Sequence, residues 1–101
     1  MKDIDVQELK AKLDNKEDFI LLDVRQPDEY EEYNIGAQLI PLGTLPARLF
    51  EFEDAKDKEI VVHCRSGARS ANAKNFMISH GFTNVRNLLG GVIAWSQAFD
   101  K

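Results

Sequence analysis

The run Ile60-Val61-Val62-His63-Cys64 constrains this chain most. Three β-branched residues in succession favour an extended backbone. Apolar side chains on consecutive positions, rather than alternate ones, need cover on both faces of a sheet. A second run, Phe19-Ile20-Leu21-Leu22-Asp23-Val24, has the same character. Two doubly covered strands separated by amphipathic stretches imply β-α-β units. The expected fold is α/β, with a mostly parallel central sheet of four to five strands and helices on both faces. Sites in such sheets lie beyond the carboxyl ends of the strands. Cys64, the only cysteine, stands at that end of its strand.

The remaining segments fit between these strands. Asp5-Val6-Gln7-Glu8 reads as a capping box, with Val6, Leu9 and Leu13 following at helical spacing. Pro27, Asp28 and Glu29 mark the start of a short helix with Tyr30 and Tyr33 on one side. Its acidic residues, 28–32, read as a solvated face. Residues 37–40 read as a short strand, and Thr44 as the cap of a brief helix with Leu45 and Leu49 inward. Lys56-Asp57-Lys58 is a polar turn. Residues 67–79 read as a helix, with Ala73, Phe76, Met77 and His80 as its inward stripe and Gly81 as its C′ residue. Residues 84–89 read as a strand. After the Gly90-Gly91 turn, Val92, Trp95 and Phe99 fall at i, i+3 and i+7 of a last helix.

Composition excludes several classes. The 101 residues fit one domain, spanning 1–101, that buries roughly 60–70% of its unfolded surface. One cysteine forms no intrachain disulfide, and with His63 and His80 it makes no multi-cysteine zinc site. Neither a metal nor another cofactor is expected. No apolar run approaches the ~20 residues a membrane span needs. Met1-Lys2-Asp3-Ile4-Asp5 lacks the basic start and apolar core of a secretory signal, so a cytosolic protein is expected. The net charge is −4, with no Lys/Arg cluster, which disfavours nucleic acid. The charge is uneven, however: residues 1–63 hold 8 basic and 16 acidic side chains, and residues 64–101 hold 5 basic and 1 acidic. The basic part begins at Cys64, so the local field there favours an anion.

Three effects converge on that sulfur. The small-residue turn Arg65-Ser66-Gly67-Ala68-Arg69-Ser70 lets backbone N–H groups curl inward as an anion nest. The helix starting near Gly67 points its positive end at the turn. Arg65 and Arg69 add fixed charge, one or both facing the anion. Each effect favours thiolate, so Cys64 is expected ionised and uncovered, below the free-thiol pKa of ~8.5. Gly67 allows a positive φ if the cradle needs one. Adjacent strand residues point to opposite faces, so His63 packs or hydrogen-bonds away from the sulfur. His80 is a helix C-terminal contact rather than a ligand. Asp23 has a structural role, accepting backbone N–H groups or pairing with Arg25. With no base in reach, the nucleophile depends on its own acidity, which suits sulfur chemistry better than acyl transfer.

These residues resemble the rhodanese family of sulfurtransferases over nearly the whole chain. Leu22-Asp23-Val24-Arg25 with Pro27-Asp28-Glu29-Tyr30 is similar to the family's first block, and Ile40-Pro41-Leu42 with Leu45 to its middle. Cys64-Arg65-Ser66-Gly67-Ala68-Arg69-Ser70 is similar to its active-site loop, and Leu88-Leu89-Gly90-Gly91-Val92-Ile93-Ala94-Trp95 to its closing block. The resemblance implies a persulfide on Cys64, with residues 65–70 binding a small anionic sulfur donor such as thiosulfate. Cyanide, a thiol or a protein then accepts the sulfur. One departure stands out: Asn34-Ile35-Gly36-Ala37 replaces the family's longer His-Ile-Pro-Gly-Ala stretch.

Two alternatives share the cysteine. A persulfide carrier or docking module would hold the sulfur for a partner without turnover. A phosphatase or arsenate-handling enzyme on a related fold needs C-x5-R. Here Arg69 follows after four residues and Ser70 occupies the C-x5 position, so the cradle is expected to be too tight for a phosphoryl group.

Overall fold

The computed structural model describes residues 2–100. Its strands are β1 (Ile20–Asp23), β2 (Gln38–Leu39), β3 (Ile60–His63) and β4 (Val85–Asn87). Its helices are α1 (Val6–Asp14), α2 (Pro27–Glu32), α3 (Leu45–Arg48), α4 (Ala68–Ser79) and α5 (Gly91–Phe99). The strand order is β2-β1-β3-β4, and every pairing is parallel. The two apolar runs are thus the central strands, as their double cover requires. Asp23 pairs with His63 and Val62 with Asn87, which brings the carboxyl ends of β1, β3 and β4 to one edge.

The pleat separates two cores. Ile60, Val62 and Cys64 face one side with Leu22, Val24, Ile40, Leu45, Ala73 and Met77, under α3 and α4. Val61 faces the other with Ile4, Val6, Leu9 and Leu88, and Trp95 packs there beneath α1 and α5. Each fully buried aliphatic side chain contributes about 1.5–3 kcal/mol relative to exposure. Ile4 extends the sheet through a parallel bridge to Leu88.

Local chemistry sets the helix ends, with three departures from the sequence reading. Asp5 caps α1 by accepting the Glu8 N–H at 2.8 Å, but the Glu8 carboxylate leaves the box for Arg86. An Arg offers a charge-assisted bond that a backbone N–H cannot match. Thr44 does not cap α3 with its side chain; its hydroxyl donates to the Pro41 carbonyl at 2.8 Å. Gly81, at φ +94°, ends α4 as expected, with its N–H on the Ile78 carbonyl and that of Phe82 on the Met77 carbonyl. The inward stripe stops one turn early, because His80 is exposed and its Nδ1 bonds the Phe76 carbonyl at 2.9 Å. Among the described residues, no helix is long and apolar enough to cross a membrane.

Candidate active site

The loop after β3 is shaped from outside by α5. The N–H of Val92 donates to the Cys64 carbonyl at 3.0 Å, and that of Ile93 to the Arg65 carbonyl at 3.1 Å. In a trans peptide the N–H points opposite to its C=O. Anchoring the Arg65 carbonyl on α5 therefore turns the Ser66 N–H inward, toward the sulfur. Gly91 makes this approach possible: a Cβ there would lie 2.5 Å from both the Cys64 and Arg65 carbonyl oxygens.

Inside the loop, donors close on the sulfur. The Gly67 N–H lies 3.1 Å from Cys64 Sγ, the Ser70 N–H 3.4 Å and the Ser70 hydroxyl 3.4 Å. Gly67 stands at φ +112°, the left-handed conformation that lets the chain turn from the sulfur into α4. Burial pushes the Cys64 thiol up. The Ser70 hydroxyl and the N–H groups of Ser70, Gly67 and Ser66 more than offset it, so the net direction is down. Acidity here comes first from hydrogen bonds, rather than from arginine charge.

Three expectations are corrected. Cys64 is not uncovered: it is 1% exposed, because its side chain belongs to the α3/α4 core while the loop amides cover it from above. Arg69 is not held free for an anion, although its charge still acts on the sulfur. Its guanidinium grips Glu29 at 2.7 and 2.9 Å, since a carboxylate at the start of α2 offers a bidentate match. Glu29 is accordingly no mere solvated face; the Arg69 guanidinium, with the Gln26 N–H, lowers its carboxyl to about 2. Arg65 and Ser66 are exposed, and Ala68 is the exposed first residue of α4. Arg65 lines an open cleft of ≈ 470 Å³ with Arg25, Glu29, Glu32, Tyr33, Val92, Ile93, Ser96 and Gln97.

The supporting residues behave as their positions predict. His63 is buried on the opposite face from Cys64, its Nδ1 3.5 Å from the Cys64 carbonyl and its Nε2 3.8 Å from Asp23. Burial pushes its pKa down, so the ring is neutral near pH 7. Asp23 accepts the Arg25 N–H at 3.0 Å and its guanidinium at 2.7 Å. That guanidinium also donates to the Tyr33 carbonyl at 2.7 Å, tying the end of α2 to the sheet edge. The shortened stretch is stapled by the Tyr30 hydroxyl on the Ala37 carbonyl and by Asn34 Oδ1 on the Gly36 N–H. Among the described residues no group of three or more His, Cys, Asp or Glu could hold a metal ion.

Sequence reasoning missed Glu29, Gly91 and Asn87. Glu29 sits four residues from Arg25 and pairs across 40 residues with Arg69, a contact no local pattern reports. Gly91 was legible only as a turn. Asn87 donates from Nδ2 to the Gly67 carbonyl at 3.1 Å and accepts the Ser70 hydroxyl, joining β4 to the loop.

Comparison with known proteins agrees with this geometry. The pattern of the rhodanese-like domain matches residues 5–98. A sulfurtransferase of Allochromatium vinosum is 38% identical, covering 96% of this chain and 90% of its own. A putative sulfur carrier protein of Bacillus subtilis is 37% identical over 93% of this chain, which spans 50% of that protein. The crystal structure of a rhodanese-like domain protein from Staphylococcus aureus superposes with a TM-score of 0.83 at 34% identity, covering 94% of this chain and 91% of that one. With the parallel sheet and the amide-ringed cysteine already in place, these matches show that the chain belongs to the rhodanese-like domain family of sulfurtransferases.

Proposed function

We propose that this protein moves a sulfane sulfur from thiosulfate, or a related anionic donor, to a thiophilic acceptor through a persulfide on Cys64. The Cys64 thiolate attacks the outer sulfur of the donor. The donor's S–S bond breaks and sulfite leaves with the electron pair. Cyanide or a thiol, free or on a protein, then attacks the outer sulfur, and the Cys64 thiolate is regenerated. This is two-step covalent catalysis. The observation that carries the reading is the convergence of the Ser66, Gly67 and Ser70 N–H groups on one sulfur. Fixed donors of this kind stabilise an anionic sulfur without reorganising.

Roles follow for the rest of the loop. Arg65, exposed at the cleft, meets the anionic donor. Arg69, bound to Glu29, braces the loop, and Ala68 supplies only backbone. An Arg69 engaged in this way also favours sulfur over phosphoryl transfer, since the guanidinium is not free to clasp a phosphate. A cytosolic, reducing setting belongs to the same proposal, because it keeps the lone thiol reduced.

Intact-protein mass spectrometry tests the reading. Thiosulfate should add one sulfur atom, cyanide should remove it as thiocyanate, and Cys64→Ser should do neither. A mass that never shifts defeats the proposal. The name of the Bacillus subtilis carrier favours a second reading, a persulfide held for a partner protein. A single mass shift with negligible steady turnover would select it.

A further inference from the structure

Asn87 is 7% exposed at the carboxyl end of β4, and each of its polar groups is engaged. Its main chain serves the N-terminal segment: the N–H donates to Asp3 Oδ1 at 3.0 Å, and the carbonyl accepts the Ile4 N–H at 3.0 Å. Its side chain serves only the sulfur loop, through Gly67 and Ser70.

Counting protons shows what that side chain does. The Gly67 carbonyl accepts the Ala71 N–H at 3.0 Å and Asn87 Nδ2 at 3.1 Å, which fills its two lone pairs. A carbonyl cannot donate, so Nδ2 must face Gly67 and Oδ1 must face Ser70. Ser70 has one hydroxyl proton and three acceptors in reach: Asn87 Oδ1, Cys64 Sγ and, at 3.2 Å, the Gly67 carbonyl, which the Ala71 and Asn87 donors already occupy. While the sulfur is a thiol, its S–H donates to the Ser70 oxygen and the Ser70 hydroxyl donates to Oδ1. The thiol proton, the Ser70 hydroxyl and Oδ1 are then all paired. Once the thiol proton leaves to solvent, the sulfur can only accept. The Ser70 hydroxyl rotates to it, and Oδ1 is left buried without a donor, which carries a cost.

We propose that Asn87 is a positioning residue for Cys64 that works through Ser70: its Oδ1 competes with the sulfur for the Ser70 hydroxyl proton and so sets how readily the sulfur becomes anionic. This rests on Cys64 being the reacting sulfur. The charged and titratable groups at the loop and the strand ends beside it are His63, Arg65, Arg69, Asp23, Arg25 and Glu29; farther along the same elements, Lys74 of α4 pairs with Asp3, Arg86 of β4 with Glu8 and Glu59, and Arg48 of α3 with Glu51, and none of these is altered in the variants below.

The test follows the ultraviolet absorbance of the thiolate against pH, with the Cys64→Ser protein subtracted. Asn87→Ala should move the Cys64 midpoint down by about half a pH unit, a roughly threefold higher thiolate fraction on the acid limb. Ser70→Ala should move it up. The double variant should match Ser70→Ala alone, because the effect passes through that hydroxyl. If the alanine variant does not fold, Asn87→Leu carries the same test, since it fills the same space and offers the Ser70 hydroxyl no acceptor. A midpoint that stays or rises in the Asn87 variant overturns the proposal. So does a fall that persists without Ser70. The measurement needs no sulfur donor, so a failure of the transferase reading, seen as no mass gain with thiosulfate, remains separate from a failure here.

Discussion

Helices α4 and α5 both start at a glycine in the left-handed region, Gly67 at φ +112° and Gly90 at φ +77°, and neither start has a side-chain cap. Both therefore present unpaired N–H groups and a positive dipole end. At α5 these groups take the Cys64 and Arg65 carbonyls through Val92 and Ile93. At α4 the Ser70 N–H, the counterpart of that of Ile93, closes on the Cys64 sulfur together with the Gly67 N–H of the turn before it. The difference teaches that a helix start becomes an anion site only where no main-chain carbonyl fills it. The α5 contact also creates the α4 site, because holding those two carbonyls outward turns the loop amides inward.

Breaking the α5 side should have the largest effect. In Gly91→Ala the Cβ would meet two carbonyl oxygens at 2.5 Å, from a backbone at φ +56°. Denaturant unfolding should show a loss of roughly 4 kcal/mol. Gly67→Ala meets nothing nearer than 3.8 Å, so only its positive φ is at stake, costing about 1–2 kcal/mol. Equal losses in the two variants would contradict the division of labour drawn here.

The two arginines sharpen the contrast next. Arg65→Ala should raise the KM for thiosulfate about tenfold at low salt, shrinking as salt screens the attraction. Arg69→Ala should change it by no more than about twofold, because that guanidinium is already held by Glu29. Steady-state kinetics at two ionic strengths decides between them. Persulfide formation should track the thiolate, so its rate should reach half-maximum at a lower pH than for an ordinary thiol. Glu29 gives an acid-side check. Its folded carboxyl is lowered to about 2 from 4.5, so the stability it contributes is full above 4.5 and is lost as the pH falls through about 2. Glu29→Gln should remove that part of the acid dependence in pH-resolved unfolding. The smallest effect belongs to His63→Ala, with kcat/KM per folded molecule within about twofold, since the ring lies across the sheet from the sulfur. A large loss with the fold intact would place the imidazole in the chemistry after all.

Much of this was legible in the residues. Consecutive apolar side chains at 60–62 can be covered only on both faces of a sheet, and β3 is buried along its whole length. The pleat alone sets His63 opposite Cys64. Gly67 and Gly81 both stand at positive φ where the turn and the helix end require it. The sulfur's donors were legible in kind, because a small-residue turn entering a helix leaves N–H groups without partners. The burial of Cys64 was not, since strand periodicity says which face a side chain takes but not whether a loop closes over it.

By itself, then, the sequence determined the strands, their parallel pairing and the cysteine's place at the sheet edge, because periodicity, covalent geometry and turn chemistry act over a few residues. Only the tertiary structure decided which charge Arg69 meets, which carbonyls α5 takes and where the Ser70 proton goes. Those partners, Glu29, Val92, Ile93 and Asn87, lie 17 to 40 residues away or on other elements of the fold. Hydrogen bonds and ion pairs depend on distance in space, and packing sets that distance.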